Sequence, residues 1–306
     1  MKKYLMNFIV LTAMAAFLLT GCTEAASEEK IKEEAKEAAD LEIDPEPDVA
    51  EEDTQKPEIL HFVDVYQNPY QVKINPNVEK HNYKNECFIR SGDLLSYTGD
   101  DNYTYRLGVD VSEHQGYVDW QQLKDSGFSF AFIRLGYRGY GQEGNIRLDQ
   151  EFHRNMENAQ AAGFDVGVYF FAQAVNEEEA QEEADFVLEN LAGYSLQLPV
   201  VYDPESILDD EARTDNVTGE QFTKNTQIFC AAMANAGYSP MIYANMLWEA
   251  FELDLEYLSE YPLWYADYEP YPQTPYHFDF WQYTNEGDVP GIEGRADLNI
   301  QLIPRQ

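Results

Sequence analysis

Two acidic residues, Asp203 and Glu205, follow a short apolar run in the segment Leu-Pro-Val-Val-Tyr-Asp-Pro-Glu-Ser. In an extended chain, side chains at positions i and i+2 point to the same side, so these carboxyl groups should lie close together. Two carboxylates in one cleft cannot both ionise freely, and the more buried one keeps its proton to higher pH. Such a pair supplies a proton donor and a nearby anion, the combination that cleaves glycosidic bonds.

The Asp-x-Glu spacing alone is weak evidence, because the chain contains 56 acidic residues. A divalent-metal site or a solvated pair at the end of a strand would show the same pattern. No cluster of Cys and His residues has the spacing of zinc ligands, and we expect neither a metal nor a cofactor. Glu205 reaches one methylene further than Asp203, so we predict that Glu205 donates the proton.

Short apolar strands alternate with amphipathic helices after Arg106. Several strands are continuous apolar runs, as expected for strands that are buried on both faces. The predicted strands are Leu107–Val111, Ser129–Leu135, Asp165–Ala172, Pro199–Asp203, Pro240–Ala244, Leu263–Ala266, Phe278–Tyr283 and Ala296–Asn299. The predicted helices are Asp149–Ala162, Glu177–Leu191, Thr218–Ala236 and Asn245–Leu258.

This order of elements predicts an α/β fold, namely an irregular β/α barrel with eight strands and fewer than eight helices. The last three strands follow one another without room for helices of normal length. The barrel should therefore be irregular in its last third, and its closing strands could be antiparallel.

In a β/α barrel, functional groups collect at the carboxyl ends of the strands. Four acids occupy such positions, and we predict that Asp110, Asp203, Glu205 and Asp297 form the catalytic group. Some neighbours have a second interpretation, since aromatic residues there also fit the barrel core and an arginine could serve only to neutralise the acids. The predicted substrate contacts are Arg134, Tyr169, Tyr243, Asn245, Trp264, Trp281 and Gln282.

Residues 1–21 have the form of a secretory signal peptide, because two lysines precede an apolar stretch that is too short to span a membrane. The sequence Leu-Thr-Gly-Cys at 19–22 resembles the bacterial lipobox, in which the cysteine becomes the lipidated N terminus. A plain signal peptide is the alternative. We expect lipidation at Cys22 and an extracytoplasmic protein that is anchored to the outer face of the bacterial cell membrane.

Residues 22–58 predict an acidic, disordered tether, because residues 23–58 contain 15 acidic residues, 4 lysines and no aromatic residue. Residues 59–105 indicate a small N-terminal extension with one or two strands, and residues 106–306 form the predicted catalytic barrel. Cys87 and Cys230 could pair in a secreted protein, but we predict two free thiols.

The formal net charge of -36 argues against nucleic acid as a partner, because such binding needs clustered lysine and arginine. A monomer is the default expectation for a tethered protein of this kind.

Several short motifs together are more specific than any single residue. Gly-Val-Asp-Val-Ser-Glu-His-Gln-Gly at 108–116 resembles the opening motif of glycoside hydrolase family 25, the N-acetylmuramidases of the Chalaropsis lysozyme type. The resemblance covers about residues 106–304. Further motifs follow in the order of that family: Asp-Trp at 119–120, Phe-Ile-Arg-Leu-Gly-Tyr at 132–137, Gly-Val-Tyr-Phe at 167–170, Tyr-Asp-Pro-Glu at 202–205, Leu-Trp-Tyr-Ala at 263–266, Trp-Gln-Tyr at 281–283 and Asp-Leu-Asn at 297–299.

The resemblance implies a flattened barrel, no metal, and hydrolysis of the β-1,4 bond between N-acetylmuramic acid and N-acetylglucosamine in peptidoglycan. It implies that Glu205 is the proton donor and that Asp203 is the second carboxylate, which could orient the substrate's 2-acetamido group. Asp110 and Asp297 would position substrate and tune the proton affinities of the pair. Pro204 departs from the family, which usually has an aliphatic residue there. Retention or inversion of configuration stays open.

Two other functions fit the same residues. The chain could be a catalytically weak lipoprotein that binds cell-wall glycan, or another carboxylate glycosidase that acts on chitin-like polymers. The presence of all four acids favours catalysis.

Overall fold

A computed structural model describes residues 56–207 and 210–305. The predicted signal peptide, the lipidation site at Cys22 and the predicted tether up to residue 55 lie outside the described residues. The division into an extension (59–105) and a barrel (106–306) stays a prediction, although the first barrel strand already begins at Tyr103.

The described residues contain thirteen strands and four α-helices. The strands are β1 (Ile59–Val63), β2 (Pro69–Lys73), β3 (Phe88–Ser91), β4 (Leu94–Tyr97), β5 (Tyr103–Val111), β6 (Phe128–Arg138), β7 (Ile146–Leu148), β8 (Asp165–Ala172), β9 (Val200–Pro204), β10 (Pro240–Asn245), β11 (Leu263–Ala266), β12 (Phe280–Gly287) and β13 (Ala296–Pro304). The helices are α1 (Trp120–Asp125), α2 (Phe152–Ala161), α3 (Glu177–Leu191) and α4 (Gly219–Asn235).

Eight strands form a closed barrel in the order β5-β6-β8-β9-β10-β11-β12-β13, and β13 pairs with β5 to close it. Strands β5 to β12 in this ring run parallel, whereas β13 is antiparallel to both of its neighbours. The predicted irregular barrel, with eight strands and fewer than eight helices, is confirmed. Strand β7 lies outside the ring and pairs only with β6 as a short antiparallel hairpin.

The predicted helix over Asn245–Leu258 is too long, because the helical segment after Asn245 ends in a π-helical turn, Trp248–Glu252. The Asn245 side-chain oxygen accepts the backbone N–H groups of Leu247 and Trp248 and so caps the start of this segment. The Asp254 carboxylate accepts the Tyr257 N–H and begins a separate turn. Two separate caps therefore divide the region that was predicted as one helix.

Helix α3 has the predicted bounds, and its start shows why. The Asn176 side chain accepts the Glu179 backbone N–H at 3.0 Å, and the Glu179 carboxylate accepts the Val175 N–H at 3.0 Å. These two bonds satisfy backbone donors that the first turn leaves free. Helix α1, which the sequence pattern did not predict, starts at Asp119, whose carboxylate accepts the N–H of Gln122 at 3.0 Å.

Bulky apolar side chains fill the barrel interior, so the barrel is a packed core and not a pore. Phe132 stacks on Trp264 with ring centroids 4.6 Å apart, and Phe280 meets the Phe132 ring at 5.1 Å. Gly108 on β5 makes room for this layer, because a Cβ atom there would lie 2.3 Å from the ring of Phe130.

The segment before β5 packs against the barrel beside β11 and β12. The Gln273 side chain pairs with both backbone groups of Val63 at 2.9 Å, and the Tyr83 hydroxyl donates to the Phe278 carbonyl at 2.6 Å. Cys87 lies in this interface and Cys230 lies on α4; both are buried and unpaired within the described ranges. Within those ranges, no helix has the length and apolar character that crossing a membrane requires.

A buried ion pair joins α3 to the barrel. Glu183 is fully buried and accepts hydrogen bonds from Arg138 Nε at 2.8 Å, the Tyr202 hydroxyl at 2.9 Å and the Gln173 N–H at 3.1 Å. Burial raises the pKa of Glu183 to about 7, although the charge of Arg138 opposes the rise. Four elements therefore meet at one carboxylate directly behind the strand that carries Asp203.

Replacing Glu183 with Ala should destabilise the protein by about 3–5 kcal/mol at pH 8, because it leaves the guanidinium of Arg138 buried without its main partner. Glu182 is the matched control, since it also pairs with Arg138, at 3.0 Å, but its side chain is 55% exposed. Glu182→Ala should cost less than about 1 kcal/mol. Chemical denaturation of both variants provides the comparison, and equal losses would refute the special role of Glu183.

Candidate active site

The four predicted acids meet at one end of the barrel. Asp110 ends β5, and Asp203 and Glu205 lie at and just beyond the end of β9. Strand β13 runs the other way, so its first residues lie at the same end, and Asp297 pairs directly with Asp110. The charge of Asp110 raises the pKa values of Asp203, Glu205 and Asp297, and the charge of Glu205 raises those of Asp203 and Asp297, which requires that the four groups lie close together.

Asp203 and Glu205 flank Pro204 at the end of β9, and each changes the pKa of the other. Burial, followed by the negative charge of Glu205, raises the pKa of Asp203 well above its usual range. Burial likewise raises the pKa of Glu205 to about 7, and Asp110 adds to that rise. The pair therefore holds a proton at neutral pH.

One carboxylate oxygen of Asp203 is buried without a hydrogen-bond donor among the described residues. Asp203 is 4% exposed, and that oxygen is its Oδ1 atom. A buried acceptor without a donor costs free energy, so its presence usually has a functional explanation.

Asp110 is held by two amides. Its Oδ2 atom accepts from Gln282 Nε2 at 2.9 Å and from Asn299 Nδ2 at 2.7 Å. These bonds favour the charged form, but burial outweighs them and raises the pKa of Asp110 to about 6. No side-chain amide among the described residues binds Asp297, and burial and the charges of Asp110 and Glu205 raise its pKa to about 9.

Gln282 connects the acids to a layer of aromatic side chains. Its Oε1 atom accepts from the hydroxyls of Tyr268 at 3.0 Å and Tyr243 at 3.2 Å. Asn299 works in the same way, because its Oδ1 atom accepts from the indole N–H of Trp264 at 2.8 Å. The bonds fix the orientation of both amides, so that each directs its N–H₂ group at Asp110.

Sequence reasoning missed Tyr268 and the amide of Asn299. Asn299 belongs to a strand motif that already carried Asp297, and alternation along β13 could have placed both side chains on one face. Tyr268 lies in the loop after β11, where no periodic pattern predicts which way a side chain points.

Arg134 is the nearest cation. Its side chain donates to Asp149 at 2.8 Å and to Glu113 at 3.3 Å, and its guanidinium lies 5.0 Å from the centre of the Tyr137 ring. Among the groups that shift the pKa of Asp203, Arg134 is the one that lowers it. Two carboxylates already neutralise this cation, so it offsets little of the negative charge in the acid cluster.

Three of the predicted substrate contacts have other places in the structure. Trp281 is fully buried, donates to the Asp267 carbonyl at 2.7 Å and packs on Phe88 of the preceding segment, so its prediction is corrected. Alternation along β12 explains this, because Gln282 faces the barrel interior and its neighbour must face outward. Trp264 is 1% exposed, so its ring packs beneath Tyr169 and Tyr243 and offers no face to a sugar. Asn245 uses its side-chain oxygen to cap the following turn.

Tyr169 and Tyr243 lie beside the acids, as predicted. Both rings meet the edge of Trp264, at centroid distances of 5.9 and 5.0 Å. Burial, followed by the charge of Asp110, raises the pKa of the Tyr169 hydroxyl well above its ordinary value, so it remains a neutral hydrogen-bond donor.

A groove of about 720 Å³ opens next to this cluster. Its walls come from the β6–β7 hairpin, the end of β8 and the chain after Glu205, and they include Arg134, Tyr137, Phe171 and Ile207. A volume of this size accommodates several sugar or amino-acid units. Within residues 56–207 and 210–305, no group of three or more His, Cys, Asp and Glu side chains has the arrangement of a metal site.

Comparison with known sequences gives the family. Residues 109–292, more than half of the chain, match the model of the family described as glycosyl hydrolases family 25. The Escherichia coli (strain K12) protein YegX, which is uncharacterised, is 30% identical over 203 residues, covering 63% of this chain and 68% of YegX. Lysozyme M1 of Streptomyces globisporus is 29% identical over 201 residues, covering 63% and 66% of the two chains.

Comparison with solved structures gives the same family fold. A family 25 glycosyl hydrolase from Bacillus anthracis matches with a TM-score of 0.56 and 25% identity, covering 69% of this chain and 94% of that one. The autolysin LytC of Streptococcus pneumoniae matches with a TM-score of 0.57 and 21% identity over 78% of this chain, a likeness that concerns the fold alone. The chain spans 56% of the length of LytC. The protein is therefore a glycoside hydrolase and belongs to glycosyl hydrolase family 25.

Proposed function

We propose that this protein is a muramidase, which hydrolyses the β-1,4 bond between N-acetylmuramic acid and N-acetylglucosamine in peptidoglycan. Membership of family 25 supports a glycosidase, and the name of lysozyme M1 supports this substrate. A structure of LytC contains a synthetic peptidoglycan ligand, which gives further support. The observation that carries the proposal is the meeting of four acids at one end of the barrel, where Asp297 pairs with Asp110 and the pKa values of Asp203 and Glu205 are raised, beside an open groove.

Glu205 is the proposed proton donor. It is the less buried member of the pair and lies just past the end of β9, where it can reach a glycosidic oxygen. Its raised pKa keeps a proton available near neutral pH, and the proton passes to the oxygen of the departing sugar as the bond breaks.

Asp203 is the proposed partner, and the buried Oδ1 atom that receives no hydrogen bond from the described residues suggests how it acts. We propose that the substrate's own 2-acetamido oxygen attacks the anomeric carbon, while Asp203 Oδ1 accepts the acetamido N–H and stabilises the positive charge that develops there.

Asp110 and Asp297 are proposed to bind substrate hydroxyls. The negative charge of Asp110 raises the pKa of the pair, whereas Asp297, with its pKa raised to about 9, is protonated near pH 7 and can donate a hydrogen bond. Tyr169, Tyr243 and Gln282 are proposed contacts to the sugar rings, because polar atoms of these residues converge on the same space.

The setting of the enzyme is a separate proposal. The lipobox-like sequence ending at Cys22 supports a lipid anchor on the outer face of the bacterial membrane, with the acidic segment up to residue 58 as a tether. A tether of this kind raises the local concentration of the enzyme at the wall. We propose a monomer whose partner is peptidoglycan.

The bond that is cleaved identifies the activity. Purified protein should release new reducing ends from peptidoglycan, and mass spectrometry should identify muramic acid at those ends. Glucosamine at the reducing end would exclude a muramidase, and binding without any release would favour a wall-binding protein.

Glu205→Gln should lower the rate of hydrolysis by about 10²- to 10⁴-fold, because glutamine cannot donate the proton. The thermal midpoint and co-sedimentation with peptidoglycan should stay unchanged. Glu211→Gln is the matched control, since Glu211 is exposed on the same connection and should retain full activity. Substantial activity in the Glu205 variant would remove Glu205 as the donor.

The pH profile should reveal the raised pKa of Glu205. We expect kcat/KM on soluble peptidoglycan fragments to fall as the pH rises through about 7, because Glu205 then loses its proton. Asp110→Asn removes a negative charge that raises the pKa of Glu205, so the falling limb should move to lower pH. Asp125→Asn, an exposed change on α1, should leave the limb in place. An unmoved limb in the Asp110 variant would contradict this coupling.

A further inference from the structure

A row of four side chains leads away from Asp203 across the sheet. Arg147 on β7 pairs with Tyr137 on β6, Tyr137 pairs with Phe171 on β8, and Phe171 pairs with Asp203 on β9. Residues that pair directly across strands point to the same face. Neighbouring strands lie about 4.8 Å apart, so three steps place the Arg147 backbone about 14 Å from that of Asp203.

The row becomes more exposed with distance from the acids. Asp203 is buried, Phe171 and Tyr137 are half-buried, and Arg147 is exposed. Three members, Phe171, Tyr137 and Arg147, line the groove of about 720 Å³. The groove therefore has aromatic walls near the catalytic pair and a charged outer end.

Arg147 differs from the other two arginines of the groove. Arg134 pairs with Asp149 and Glu113, and Arg138 pairs with Glu182 and Glu183 of α3. Arg147 forms no ion pair with residues 56–207 or 210–305. In a chain with a net charge of -36, a guanidinium that has no partner among the described residues offers a rare place for a negative group at the outer end of the groove.

We infer that this groove binds the acidic stem peptide of peptidoglycan and that Arg147 pairs with one of its carboxylates. The inference rests on the proposed muramidase activity. A muramic acid held at Asp203 and Glu205 carries its peptide on the lactyl group, sideways from the sugar chain. A distance of about 14 Å corresponds to about four extended residues, the scale of such a peptide. The glycan backbone is uncharged and gains nothing from a guanidinium.

The groove wall is held rigid by contacts behind it. Arg138 Nη1 donates to the Gly144 carbonyl at 3.0 Å, while its Nε atom binds Glu183 on α3. The Gly139 N–H donates to the Asn145 carbonyl at 3.0 Å, which closes the hairpin loop. These contacts fix the backbone that carries Arg147, and the planar guanidinium can form two parallel bonds with a carboxylate.

The test compares two substrates. For Arg147→Glu, kcat/KM on peptide-bearing glycan strands should fall about tenfold, because a charge-assisted bond is replaced by repulsion. On strands whose peptides an amidase has removed, the same variant should match the wild type. Arg147→Lys should recover part of the loss. Arg305→Glu is the matched control, since Arg305 is exposed beyond β13 at the opposite end of the barrel.

An equal loss on both substrates, or no loss on either, would overturn the inference. Thermal unfolding of each variant identifies any misfolding. Failure of the proposed function has a different signature, because the wild type would then release no muramic acid ends. In that case, titration of a soluble muropeptide into Glu205→Gln, with and without Arg147→Glu, still tests the groove. Equal affinities would reject the peptide site.

Discussion

The burial of negatively charged groups without matching cations is the constraint on which this site depends. Four carboxyl groups share one end of the barrel, and the nearest arginine, Arg134, is already neutralised by two other acids. Ionising all four in a desolvated space would cost more free energy than the fold could supply. Protons take the place of cations, which is why the pKa values of Asp203, Glu205 and Asp297 all rise.

Successive layers of the fold position these acids and hold their neighbours in place. The closing strand β13 runs antiparallel, so it brings Asp297 and Asn299 to the end where the parallel strands finish. Two amides hold Asp110, and the tyrosine and tryptophan layer beneath fixes those amides in turn. The phenylalanine-filled interior supports that layer. Outside the ring, Arg138 binds both Glu183 on α3 and the Gly144 carbonyl in the β6–β7 hairpin. This arginine therefore connects the wall of the groove to the helix that packs behind the acids.

Much of the fold could be predicted from the sequence, because strands buried on both faces are continuous apolar runs; β8 and β11 have the predicted bounds. The four acids were also found, since strand ends are recognisable. The errors have physical causes. Trp281 and Gln282 are neighbours on one strand and cannot both face the interior. Tyr268 lies on a loop, and the position of a loop side chain depends on tertiary contacts. The sequence did not mark Arg147 as a binding residue, because charged residues are common on edge strands, where they prevent pairing with other chains.

The raised pKa values couple folding to protons. In the unfolded chain these carboxyls titrate near pH 4, whereas in the folded protein Asp110, Glu205 and Asp297 titrate near 6, 7 and 9. The folded state therefore binds more protons between about pH 5 and 8, and stability must decline as the pH rises through that interval. Refolding in weak buffer at pH 7 should take up protons, which a pH electrode can record. The property that keeps the proton donor loaded thus makes this end of the barrel less stable at neutral pH than in mild acid.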